Sequence, residues 1–220
     1  MDGATLLLDL MLIVGAYLCG SIPMGVLVAR LTGGTDPRTV GSGRTGGTNA
    51  LRALGRGRAA VVVVGDVLKG AVPVLVARTV AGGAFVESLC AIGAVIGAIW
   101  SVFVGFRSGR GVGTGVGTML VIQPAAVLIA LPVFVAAILV TRYVSLGSLL
   151  GSAAIALAVF VMWAIANGPI SGAYMLYAVV GAALVWLAHA ENIERLLHGT
   201  ERKFDLGMLS GRGGGASGEG

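Results

Sequence analysis

The sequence predicts an all-α integral membrane protein of seven transmembrane helices, with the N-terminus outside and the C-terminus cytoplasmic. Three observations carry that reading. Mean hydropathy is +0.95 and only 11% of residues are charged, whereas a water-facing surface needs roughly a quarter. Uncharged runs of membrane-crossing length recur along the chain. When seven spans are drawn, 13 of the 15 Lys and Arg residues fall on one side, as cytoplasmic loops require. The 37 glycines of 220 residues follow no triplet period. Collagen, disorder and a disulfide scaffold are therefore excluded, and the glycines read as close helix packing in a bilayer.

A crossing helix needs about 20 predominantly apolar residues. Leu10 to Ala29 is the first such run. Asp2 and Asp9 precede it with no Lys or Arg, which places the N-terminus outside and argues against a cleaved signal peptide. Ala59 to Ala77, interrupted by Asp66 and Lys69, is the second, and Ser88 to Phe106 the third. The 31 uncharged residues from Gly111 to Thr141 break at Gln123-Pro124 into a short span and a full one. Read as one crossing, they would export Arg142 and the basic tail. Tyr143 to Ala190 exceeds one crossing, and Asn167-Gly168-Pro169 splits it in two. Residues 1–205 then form a single domain and 206–220 a flexible Gly-rich tail.

Cys19 and Cys90 lie in apolar runs, and with only His189 and His198 they make no metal-ligand cluster. No metal or cofactor is implied. The pI near 9.8 follows from orientation toward anionic lipid. No aromatic-interleaved basic patch points to nucleic acid.

Polar chemistry gathers in three clusters on the basic face. Segment 32–58 is dense in Gly, Ser, Thr, Asn and Arg, a composition that suits either anion binding or a flexible connector. Gly41-Ser-Gly43-Arg-Thr-Gly46 fits G-x-G-x-x-G without the strand a dinucleotide fold needs, and Gly41 to Thr48 resembles a P-loop with Gly47 in place of its Lys. Neither nucleotide assignment stands. In the second cluster, Gly105 to Gly115, Arg107 and Arg110 precede the fourth span, whose N-terminal amides add to their charge. The alternative there is positive-inside anchoring with G-x-x-x-G packing, as at Gly93/Gly97, Gly111/Gly115 and Gly147/Gly151. The third cluster, His189 to Glu201, begins where span seven leaves the membrane. A continuing helix would place His189, Asn192 and Leu196 on one face and turn Arg195 toward Glu191. Asp66 and Lys69, one turn apart and about 10 and 15 Å deep, form either a structural pair or the floor of a polar site.

These residues resemble the bacterial acyl-phosphate-dependent glycerol-3-phosphate acyltransferases of the PlsY type. Gly20-Ser-Ile-Pro-Met-Gly25, Val40 to Arg52, Asp66 to Gly70, Gly105 to Gly111 and His189 to Glu201 follow that family's order. The resemblance implies a multi-pass enzyme of the bacterial inner membrane with its active site on the cytoplasmic face. Its substrates would be acyl phosphate and glycerol 3-phosphate, its surroundings membrane lipid, and its products lysophosphatidic acid and phosphate.

Position by position, Ser42 and Arg52 match the family's key hydroxyl and arginine, and Gly41, Gly43, Thr48 and Asn49 surround them. Arg107, Ser108, Gly109, Arg110 and Gly111 match a phosphate loop. His189 and Asn192 match the third motif's functional pair, Lys69 a substrate contact, and Glu201 and Asp66 structural carboxylates. The departures are Ala98 where the family carries His, Arg44 where Asn is usual, Thr45 for an apolar residue, Gly47 for Ala, and Arg107 and Arg110 for lysines. Two readings from other classes share these loops. One is a non-catalytic or altered-acceptor paralogue acting as a membrane partner, and the other is a small-anion or lipid transporter.

Overall fold

The computed structural model describes residues 2–165 and 170–207. The Asn167-Gly168-Pro169 turn, Arg212 and nearly all of the Gly-rich tail lie outside the described residues. Among the described residues ten α-helices follow in order: α1 (Gly3–Gly20), α2 (Met24–Leu31), α3 (Gly47–Leu54), α4 (Arg56–Val80), α5 (Ala84–Ile99), α6 (Val112–Ile122), α7 (Pro124–Thr141), α8 (Val144–Ile165), α9 (Gly172–Ala188) and α10 (Ala190–Leu197). Among the described residues no strand occurs. Helices α1, α4, α5 with the turn after it, α7 and α8 are long and apolar enough to cross a membrane, and α9 with α10 makes a sixth, bent by 62°. At 11 residues α6 is the shorter apolar helix expected between Gly111 and Gln123.

Two boundaries differ from expectation for local reasons. The first span is Gly3–Gly20 rather than Leu10 to Ala29. Asp9 lies inside it and is buried rather than flanking it. Pro23 has no N–H and disfavours helical geometry at Ile22, so the chain breaks there and restarts as α2. At the break the Ile22 carbonyl accepts from Met24 N at 3.0 Å and from Lys69 Nζ at 2.9 Å. Similarly, α5 ends at Ile99 instead of running to Phe106. Residues 102–104 form a 3-10 turn, and Gly105 and Phe106 both take left-handed backbone, φ 66° and 58°.

Helix approach is set by backbone contact at glycines. A Cβ at Gly20 or Gly97 would strike the backbone carbonyls of Ala94 and Tyr17, joining α1 to α5. One at Gly70 or Gly117 would strike those of Thr114 and Val67, joining α4 to α6. Toward α4 the α6 packing pair is Gly113 and Gly117, against Asp66 and Val67, whereas Gly111 and Gly115 face Val95 on α5. The two basic residues that broke the charge asymmetry are both matched by carboxylates. Lys69 pairs with Asp66 at 2.7 Å and Arg78 with buried Glu87 at 2.8 Å, where Tyr174 Oη also donates. Val28, Ala29, Ala50, Leu54 and Val62 dock α2 and α3 on the first turns of α4, and that platform carries the polar loop between them.

Candidate active site

The loop between α2 and α3 is organised by one buried side chain. Asn49, on the first turn of α3, donates through Nδ2 to the carbonyls of Pro37, Val40 and Arg44 at 2.6, 3.1 and 2.9 Å, and its Oδ1 accepts from Ser42 N at 3.1 Å. Gly41 takes φ +57°, and a Cβ there would collide with Asn49 Oδ1. Asn49, expected as a substrate contact, has its amide engaged with the loop and thereby fixes where Ser42 sits. Thr45 Oγ1 then hydrogen-bonds buried Ser108 Oγ at 2.9 Å, tying this loop to the one between α5 and α6. That second loop folds back on α5, with Ser108 N and Gly109 N donating to the carbonyls of Ile99 and Ala98.

The third contributor is the joint between α9 and α10. The helix bends at His189 rather than continuing straight, and within α10 Arg195 turns to Glu201 at 2.8 Å while Glu191 meets Arg44, so the two do not pair with each other. The Glu201 carboxylate also accepts from Asn192 Nδ2 at 2.6 Å and Ser145 Oγ at 3.0 Å. Burial alone would raise its pKa, but these hydrogen bonds outweigh burial and hold it below the usual glutamate value. Phe204 N donates to the Arg142 carbonyl at 2.6 Å, which straps the segment after α10 across the α7–α8 corner.

These pieces enclose a cavity of about 490 Å³. Of the residues singled out in the sequence, Ser42, Thr48, Asn49, Arg52, Asp66 and Lys69 line it, as do Gly109, Arg110, Gly111, His189, Asn192 and Glu201. Gly41, Gly43, Arg107 and Ser108 do not. Arg107 is exposed because the left-handed turn at Gly105 and Phe106 sends it outward, whereas Arg110 turns in beside Gly111, at φ 75°. Lys69, expected as a substrate contact, is buried with its ammonium engaged by Asp66 and the Ile22 carbonyl. Sequence reasoning missed Arg195, Arg202, Thr114, Ser145 and the apolar wall, which comes from the middles of α6 to α9 and includes Met119, Leu131, Phe134, Ile155 and Tyr177. The apolar runs Gly111 to Thr141 and Tyr143 to Ala190 carried the only advance signal for that wall.

Electrostatics set the polar end apart. Six cationic side chains line the cavity, Arg44, Arg52, Lys69, Arg110, Arg195 and Arg202, against the carboxylates Asp66 and Glu201. Burial, then the like charge of Arg44, lowers the Arg110 pKa to about 10, and Arg110 Nε is buried without a partner. Burial and Arg202 likewise lower that of Arg52. Such an excess of partly buried positive charge favours an anion. His189 is 2% exposed, and its Nδ1 lies 2.7 Å from the Val185 carbonyl. A carbonyl only accepts, so Nδ1 carries the proton and Nε2 keeps a free lone pair. Burial lowers the His189 pKa to about 4, leaving the ring neutral at pH 7. Asn192 Oδ1 is likewise buried without a partner and is an open acceptor. Among the described residues, no group of three His, Cys, Asp or Glu side chains is placed to hold a metal ion.

Comparison with known proteins agrees with this geometry. The family described as glycerol-3-phosphate acyltransferase matches residues 10–199. The chain is 41% identical over 208 residues to the glycerol-3-phosphate acyltransferase of Rubrobacter xylanophilus, covering 94% of this chain and 100% of that one. It is 46% identical over 189 residues to that of Thermus thermophilus, covering 86% and 92%. Two crystal structures of PlsY, an integral membrane glycerol 3-phosphate acyltransferase, superpose on it. The glycerol 3-phosphate form has a TM-score of 0.83 at 36% identity, and the lysophosphatidic acid form 0.81 at 34%, each covering 92% of this chain and 98% of the other. The chain is thus an integral membrane protein of many spans and belongs to the glycerol-3-phosphate acyltransferase family.

Proposed function

We propose that the protein transfers a fatty acyl group from acyl phosphate to the 1-hydroxyl of glycerol 3-phosphate, giving lysophosphatidic acid and inorganic phosphate. The observation that carries this is a single cavity whose cationic end, at Arg52 and Arg110, runs into an apolar interior at Phe134 and Ile155. Phosphate fits the first and an acyl chain the second. Seven spans, a cytoplasmic cavity mouth, an external N-terminus and a bacterial inner-membrane location complete the reading, supported by the basic asymmetry and the short α6.

Acyl phosphate is a mixed anhydride with a good leaving group, so positioning and charge neutralisation do most of the catalysis. The guanidiniums of Arg52 and Arg110 and the first-turn amides of α6 bind the anions. The acceptor hydroxyl donates to His189 Nε2, with Asn192 Oδ1 as the second acceptor orienting the glycerol. Its oxygen attacks the acyl carbon, and the Ser42 hydroxyl stabilises the developing oxyanion. The bond from the acyl carbon to the bridging phosphate oxygen breaks, and the hydroxyl proton, held briefly at Nε2, leaves with the phosphate. A ring of pKa about 4 is a weak base but a sufficient one, because the attacking oxygen grows acidic as its bond to carbon forms.

Purified protein should release phosphate from a long-chain acyl phosphate only when glycerol 3-phosphate is added. Ser42→Ala should abolish that release and Ala98→His should keep or raise it. Phosphate release indifferent to the acceptor would refute the assignment.

A further inference from the structure

The mouth of the cavity holds a guanidinium outside the chemistry of Ser42, His189 and Asn192. Arg44 lines the cavity and places Nη2 3.2 Å from Glu191 Oε1 on α10. The contact is single and long for a charge-assisted bond, and the Glu191 side chain is 53% exposed against 20% for Arg44. An ion pair of that kind contributes little and exchanges readily. The backbone beneath Arg44 is fixed, because its carbonyl accepts from Asn49 Nδ2 at 2.9 Å and Thr45 is tied to Ser108. The side chain is therefore the part of Arg44 able to change partner. Inward lies Arg110, whose buried Nε has no partner and whose charged form the charge of Arg44 disfavours. Two guanidiniums that line one cavity and repel each other are brought together by an anion that binds both.

We infer that Arg44 is a phosphate ligand held in reserve by Glu191: a phosphate entering beside Arg110 draws Arg44 off the carboxylate, and the carboxylate reclaims it as phosphate departs. Glu191 thus competes with substrate and hastens product release. The inference rests on the acyltransfer reading for the identity of the phosphate, which belongs to the acyl donor, the acceptor or the released product.

Inorganic phosphate, titrated into purified protein by calorimetry, tests the latch without turnover. Arg44→Gln should weaken phosphate binding about tenfold, the scale of a lost charge-assisted hydrogen bond. Glu191→Gln, at an exposed position that leaves the fold intact, should tighten it several-fold, and should lose that effect in an Arg44→Gln background. Steady-state kinetics then separate the sources: a matching rise in the KM for acyl phosphate, the KM for glycerol 3-phosphate or the inhibition constant of phosphate identifies which group Arg44 holds. A Glu191→Gln effect that persists without Arg44, or an Arg44→Gln variant with unchanged phosphate affinity, would overturn the latch. Coupled phosphate binding without turnover would instead refute the acyltransfer reading and leave the latch standing.

Discussion

At the scale of single residues, the two most informative groups both bind protons in ways that make the fold sensitive to acid. Unfolded His189 takes up a proton near pH 6.5, whereas the folded ring does so only near 4. The unfolded state therefore binds the extra proton first. The stability His189 contributes is whole above pH 6.5 and declines toward pH 4, by about 3 kcal/mol in all. Glu201 has the same sign, because its carboxylate is held below its usual pKa, so its contribution is also lost as pH falls. The thermal midpoint of the wild type should drop relative to a His189→Gln variant between pH 6.5 and 4, and parallel curves would contradict the assigned tautomer and burial. Glu201→Ala would leave Asn192, Arg195 and Ser145 without their common acceptor. A loss of about 2–4 kcal/mol together with most of the activity is expected, measured by melting in detergent and by turnover.

Among the elements, the short helix α6 does the positioning, since its N-terminus and the turn before it face the cavity while Gly117 meets α4 backbone to backbone. Gly117→Ala should separate α4 from α6 and destabilise by about 1–3 kcal/mol, with activity falling too as Arg110 moves. Gly15→Ala, with nothing within 4 Å of the added methyl, should be neutral or slightly stabilising. Comparable losses from both variants would remove the case for backbone contact as the packing device. Hydropathy and charge made α4 to α9 legible in the sequence, because a bilayer imposes length and polarity that a reader can count. The break at Pro23 was less legible, since the apolar run continues through it and only the missing N–H marks it. The inward Arg110 and outward Arg107 could not be told apart, because a loop with left-handed residues at 105, 106 and 111 has no period. Asn49 likewise looked like a ligand contact, when its two N–H donors are shared among carbonyls five, nine and twelve residues away.

In the molecule as a whole, topology and reaction meet in one cavity. Apart from Asp66 and Lys69 inside α4, the charged groups lining the site come from loops and from the ends or short helices beside them, while the Arg78–Glu87–Tyr174 brace sits between other helix ends. If that site end is cytoplasmic, a cysteine introduced at Arg107 should react with an impermeant reagent in inverted vesicles and resist it in intact cells. Labelling from outside would reverse the orientation. The central claim is that one cavity brings an acyl phosphate and glycerol 3-phosphate together. Its most direct test is product analysis with purified protein in lipid: long-chain acyl phosphate and glycerol 3-phosphate should yield 1-acylglycerol 3-phosphate and inorganic phosphate in equal amounts, with no turnover from acyl-CoA. Phosphate without the acylated product, or no reaction at any acyl chain length, would contradict it.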